Sequence, residues 1–238
     1  MYSENKGIIL RTTKYSESSL VLDMYTLYKG RRSFIISGIR SKKSKTKAGL
    51  LQIMGLVDFV SYDRDTSSLL RIKEIKADHL YQKVPFDVLR SCLGIFLMEV
   101  CSKAIKETEI NERLFEFIRS SLIKLDREDL SKLSLFHIQF LLGLSKHLGL
   151  FIQNNYSSVN CYLSLRDGNF IGRDYGEQYS MNAECSEVLS KIINKENERV
   201  PKHLRNQILD QLIQFYQYHI DNFGKVKSLE VLRTIFSD

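Results

Sequence analysis

Hydrophobic and polar positions alternate in short runs over the first eighty residues, and the spacing then changes to steps of three and four. Leu20, Leu22 and Met24 alternate with Ser19, Val21, Asp23 and Tyr25, the period-2 pattern of a half-buried strand. Runs at 7–12, 32–36, 55–62 and 68–77 complete a set of five predicted strands, punctuated by turn residues such as Lys29-Gly30. Five short strands in this length fit an OB-type β-barrel.

Beyond Pro85 the period is helical. Leu89, Leu93, Phe96, Leu97 and Val100 share one face, as do Leu114, Phe117, Ile118, Leu122 and Leu125. A third helix is predicted over 130–148, where Leu133, Phe136, His137, Phe140, Leu141, Leu144 and Leu148 make an apolar face broad enough for a central position. Residues 162–165 and 170–171 flank Arg166-Asp167-Gly168-Asn169, and Asp-Gly favours a tight hairpin turn. Helices follow over 181–194, 201–222 and 228–236, with Pro201 suited to a first turn and Ser228 to an N-cap. The expected fold is α+β. An OB-type nucleic-acid-binding barrel occupies 1–80, and a mainly α-helical domain with a small hairpin around 160–172 occupies 81–238.

Charge sharpens this division. The net charge is +7, yet residues 1–83 hold 16 Lys or Arg against eight Asp or Glu, so the whole excess lies in the predicted barrel. Such asymmetry points to a polyanionic partner. From Lys29 to Val57 there are eight basic residues and no acid: Lys29, Arg31, Arg32, Arg40, Lys42, Lys43, Lys45 and Lys47. These are the candidate DNA-binding residues, because lysines and serines in a loop can donate to phosphate oxygens and release counterions. Tyr15, Tyr25 and Tyr62 are candidate stacking surfaces. The absence of a basic amphipathic helix disfavours a membrane surface, no apolar stretch is long enough to span a bilayer, and the cytoplasm is the expected compartment.

Other chemistry has little support. Cys92, Cys101, Cys161 and Cys185 form no C-x-x-C pair, so neither a closed zinc site nor a disulfide framework is expected. The histidines lack metal-ligand spacing, and no glycine run could cradle a nucleotide. Asp63, Glu74 and Lys76 resemble the carboxylate and lysine set of a metal-dependent nuclease, although Ile72, placed on the same strand face as Glu74, reads as core. A non-enzymatic binding protein without cofactor is the leading expectation. An RNA-binding protein of translation or ribosome assembly is the alternative, and the nuclease is a weaker one.

The order of short motifs resembles a known family. Gly7-Ile8-Ile9-Leu10-Arg11, Lys14-Tyr15-Ser16-Glu17, Tyr25-Thr26, Ser37-Gly38-Ile39-Arg40, Leu97-Met98-Glu99-Val100 and Leu148-Gly149-Leu150 are similar, in sequence order, to the pattern of the RecO family. The resemblance implies binding of single- and double-stranded DNA, annealing of complementary strands, and work with RecR to load RecA onto DNA coated by single-stranded-DNA-binding protein. It places the protein at the nucleoid. It also implies that the helical domain holds the tail of single-stranded-DNA-binding protein, with Lys202 and Arg205 as candidate contacts. Many members carry a four-cysteine zinc site where this chain keeps only Cys161 and Cys185, so the metal is expected to be lost.

Overall fold

Alternation in the first third produces strands long enough to share partners. A computed structural model describes residues 2–38, 49–62, 69–106, 108–196 and 199–235. β1 (Tyr2–Lys14) pairs antiparallel with β2 (Ser19–Thr26) through its second half and with β4 (Leu56–Tyr62) through its first half. β3 (Gly30–Ser37) pairs antiparallel with β2, and parallel with β5 (Leu69–His79) over residues 33–35 and 69–71. β5 returns to β4, closing the barrel in the order β1-β2-β3-β5-β4. This is the predicted OB-type barrel. Its interior holds Ile9, Leu22, Met24, Phe34, Ile36, Val57, Phe59, Leu70, Ile72 and Ile75, with the Phe34 and Phe59 rings edge-on at 4.9 Å.

The β1–β2 and β4–β5 registers shift at three places, between Leu56 and Val57 with Asp78 left over and at two further bulges that change which way side chains point. Ile9 faces Met24 but Arg11 faces Asp23, so Leu10 is the extra residue on β1. On β5, Glu74 faces Val60 and Ile72 faces Ser61, leaving Lys73 over. An extra residue breaks strict alternation. Ile72 and Ile75 therefore both point into the barrel while Lys73, Glu74 and Lys76 are exposed, and Glu74 does not share the face of Ile72 as strict alternation had suggested.

The helices are α1 (Val88–Ala104), α2 (Glu112–Arg127), α3 (Phe136–His147), α4 (Ala183–Ile193), α5 (Lys202–His219) and α6 (Ser228–Ile235). Compactness divides the chain into Met1–Arg127 with Ser228–Asp238, and Glu128–Lys227. In the first unit α1 and α2 cover one end of the outer barrel face, so β2 is buried on both sides from Leu22 onward. Tyr25 is buried beside Phe115 and donates its hydroxyl to Asn111 O at 3.2 Å. Gly30 has φ 60°, and a Cβ there would lie 2.4 Å from the Thr108 carbonyl oxygen, so glycine is what lets this turn meet the α1–α2 connection. Ser228 docks α6 on α1 by donating both N–H and hydroxyl to Glu99 Oε2.

In the second unit α3 is the central helix that its broad face predicts, with Phe136, Phe140, Leu141 and Leu144 buried. It begins at Phe136 because residues 130–132 form a 3-10 turn, with i→i+3 bonds from Leu133 to Leu130 and from Phe136 to Leu133. His137 is fully buried, and burial together with the Arg205 charge pushes its pKa down to about 3; it packs as a neutral ring. β6 (Tyr162–Ser164), β7 (Phe170–Ile171) and β8 (Ser180–Met181) make a small sheet in the order β7-β6-β8. Ser164 donates to Asp167 across the predicted Asp-Gly turn, Ser186 accepts from Leu163 N, and Asn155 both donates to and accepts from Phe170.

Candidate nucleic-acid interface

Cross-strand register places the outward side chains of the barrel in rows. One row is Thr13, Val21, Ile35 and Arg71, crossing β1, β2, β3 and β5. Thr13 and Arg71 are exposed, while Val21 and Ile35 are half-buried. The next row is Arg11, Asp23, Ser33 and Leu69. Here Asp23 accepts from Ser33 Oγ at 2.6 Å and from Arg11 at 2.7 and 2.9 Å. Burial opposes its ionisation, but the Ser33 hydroxyl and the Arg11 guanidinium outweigh that and hold its carboxyl below the ordinary value. The acid is thus neutralised internally.

The basic run 40–47 follows the end of β3 at this face. Arg40, Lys42, Lys43, Lys45 and Lys47 lie outside the described residues, but the loop's departure point is fixed: Ser19 and Ser37 face each other, and Gly38 N donates to Ser18 O at 2.9 Å. Lys14 and the exposed Tyr15 therefore stand beside its base. On the other side, the parallel register ends at the Ile35–Arg71 pair, two residues short of Ser37. Lys73 lies 4.5 Å over the ring of the half-exposed Tyr2, whose partner is Tyr62 at 5.1 Å.

The other predicted contacts sort differently. Lys29 precedes β3 and Arg31 and Arg32 lie at its start, about 20–30 Å from Gly38 at roughly 3.3 Å per residue. Arg32 is exposed and Lys29 half-buried. The Arg31 guanidinium is turned onto the end of α1, donating to Ser102 O at 2.6 Å and Ile105 O at 2.5 Å. Burial pulls its pKa below the usual arginine value. Arg31→Ala is expected to leave two carbonyls poorly satisfied and cost about 2 kcal/mol, lowering the melting midpoint by about 4–8 °C without changing the salt dependence of binding. Thermal melts beside salt titrations test this, and an altered salt slope would return Arg31 to the interface.

Of the proposed aromatics, Tyr25 is buried, Tyr15 is exposed, and Tyr62 is half-buried against Tyr2. Sequence reasoning missed Arg71, Lys73 and Tyr2, which lie outside the basic run and are joined to it only by β3–β5 and β1–β4 pairing. In the second unit Lys202 is exposed, whereas Arg205 is half-buried and donates to Ser134 O at 3.3 Å.

The nuclease set does not assemble among the described residues. Asp63 lies outside them, Glu74 is 3.3 Å from Lys73, and Lys76 is 3.7 Å from Asp58. No group of three His, Cys, Asp or Glu is placed to hold a metal among the described residues. The Cys185 thiol donates to Gln207 Oε1 at 3.2 Å, and burial raises its pKa. Cys161 and Cys185 do not supply the donor set of a closed zinc site.

Comparison with known proteins now fixes the family. Residues 1–81 match the family described as recombination protein O N terminal, and residues 85–230 match recombination protein O C terminal. The chain belongs to the RecO family. DNA repair protein RecO of Phocaeicola vulgatus is 32% identical over 242 residues, covering all of both chains. The proteins of the same name from Bacteroides fragilis and Flavobacterium psychrophilum are 31% and 30% identical, covering 99% and 100% of this chain and all of each relative. RecO-family membership agrees with the barrel topology. No helix among the described residues is long and apolar enough to cross a membrane.

Proposed function

We propose that this chain is a sequence-nonspecific DNA-binding protein of recombinational repair that anneals complementary strands. It also helps load recombinase onto DNA coated by single-stranded-DNA-binding protein. The supporting observation is the barrel face crossed by the row of Thr13, Val21, Ile35 and Arg71: Lys14 and Tyr15 stand beside Gly38, after which the basic run continues, and Arg71 ends the row on β5. Basic side chains there hold phosphates and screen the repulsion between two strands, and the half-buried Val21 and Ile35 offer apolar surface to sugars or bases. Lys29 and Arg32 extend the positive field at the far end of β3. Sequence is not read, because lysines on a loop neutralise phosphates rather than match base edges.

Annealing in this reading runs on binding energy without a catalytic group or cofactor, in the cytoplasm at the nucleoid. RecR-like protein is the partner in loading. The tail of single-stranded-DNA-binding protein binds the helical domain, where Lys202 supplies an exposed charge and Arg205 supports the Ser134 carbonyl at its foot. Two complementary labelled oligonucleotides mixed with the protein, with and without EDTA and with structured RNA as competitor, test the reading. Duplex formation is expected unchanged by EDTA. Mg²⁺-dependent shortening of the strands would replace it with the nuclease, and preferential capture of the RNA with the RNA-binding alternative.

A further inference from the structure

The second unit displays tyrosines that its core does not use. Tyr175, Tyr179 and Tyr218 are 59%, 45% and 39% exposed, and all three belong to one construction. The segment between β7 and β8 is fixed by an Asp174 carboxylate that accepts from Gly176 N at 2.8 Å and Ser180 Oγ at 2.6 Å. Tyr175 N donates to Ser180 Oγ, and Tyr179 N donates to Gly176 O. Leu165 N donates to Tyr179 O, which seats the segment beside the turn that carries Arg166. From α5, Tyr218 Oη and Gln214 Nε2 both donate to Gln178 O, at 2.8 and 2.7 Å.

The rings are thus held in place before anything binds. Tyr179 and Tyr218 lie 6.4 Å apart at 32°, and the Arg173 guanidinium sits 5.5 Å from the Tyr175 ring. Exposing aromatic rings on a rigid loop forgoes their burial, whereas a ligand that covers them meets little ordering cost. Charged groups flank the rings. Asp174 keeps its charge but turns to Gly176 and Ser180, and Asp167 turns to Ser164. With Glu177 these make three carboxylates beside the exposed Arg166 and Arg173 in the 166–179 segment.

We infer that this tyrosine face is a second strand-binding surface, on which bases of single-stranded nucleic acid stack on Tyr175, Tyr179 and Tyr218 while Arg166 and Arg173 meet the phosphates. Flat rings with polar rims, flanked by guanidinium groups and glutamine amides, suit bases better than an apolar helix, since every base offers a π-face. The inference rests on the nucleic-acid reading of the barrel and extends it: one chain would hold two strands, one on each unit. That is the minimum an annealing protein needs.

The test uses the full chain and a photoreactive oligothymidylate, with cross-linked peptides mapped in three proteins: the unaltered chain, the triple variant Lys42→Glu, Lys43→Glu, Lys45→Glu, and the double variant Tyr175→Ala, Tyr179→Ala. Cross-links within 166–179 are expected to persist in the lysine variant while those on the barrel fall. The tyrosine variant is expected to lose about tenfold in annealing rate, with barrel cross-links and melting midpoint kept. Tyr218→Phe retains the ring and should anneal normally, whereas Tyr218→Ala should not. Barrel cross-links without any in 166–179 would overturn the second surface and leave the barrel reading standing; cross-links nowhere would overturn both. Unchanged annealing in the tyrosine variant would also overturn it, and would leave the face to a protein partner.

Discussion

Replacing Lys42, Lys43 and Lys45 together by glutamate is expected to lower single-strand affinity about 100-fold at about 0.1 M salt and only a few-fold at about 0.5 M. The magnitude follows from counterion release. Each neutralised phosphate contributes about 0.7 to the slope of log K against log salt on a single strand, so three contacts contribute about 2. At a salt concentration of about 0.1 M that slope is worth two orders of magnitude, and as salt rises the advantage shrinks. Binding isotherms at several salt concentrations, for the unaltered chain and the variant, read both numbers together. A variant that lost affinity with its slope intact would mean that the loop acts through the fold of the barrel rather than through phosphates. Lys29 and Arg32, at the far end of β3, should give a smaller loss when reversed, because the whole strand separates them from Gly38, after which the basic run continues.

What made the barrel readable is that each strand must bury one face. Leu20, Leu22 and Met24 on one side, and Arg71 against Leu70 and Ile72 on the other, declare the inside without knowledge of any partner. The helical periods after Pro85 are readable for the same reason. Properties that depend on non-local packing were hidden. Nothing near Tyr25 signals that the α1–α2 connection will cover it, and nothing near Arg31 signals that its guanidinium will end on carbonyls more than seventy residues away. A run of eight basic residues reads as one patch along the chain, yet an eight-residue strand carries its two ends to opposite rims. Conversely, Arg71 reads as an ordinary strand polar position until parallel pairing sets it opposite Ile35, and Lys73 until it is found over the Tyr2 ring. The bulge at Lys73, invisible in the alternation, decides that Glu74 and Ile72 part company.

The same contrast between local pattern and long-range closure governs stability, and Asp126 on α2 is where it concentrates. This buried carboxylate accepts from the backbone N–H groups of Gln82, Lys83 and Val84 at 2.8–3.1 Å. His79 Nε2 stands 3.5 Å away. It fixes the turn that leads from β5 into α1, a turn reinforced by Ser91 Oγ donating to Val84 O and by the buried Arg90 donating to Leu125 O. Burial opposes ionisation of Asp126, but the three N–H groups and His79 together prevail, so its pKa lies below the ordinary aspartate value. A carboxylate depressed in the folded state stabilises above its unfolded pKa, and that contribution is lost as pH falls through the folded one. Asp126→Asn should therefore destabilise the barrel-containing unit by about 3 kcal/mol at neutral pH, lowering its melting midpoint by about 6–12 °C. The gap should begin to narrow below about pH 4, where an ordinary aspartate protonates, and should close only as pH falls through the depressed folded pKa, where the native side chain loses its charge as well. Melting curves between neutral pH and the acid limb decide the matter. A gap that stayed constant with pH would show that the shape of the side chain, rather than its charge, holds the turn.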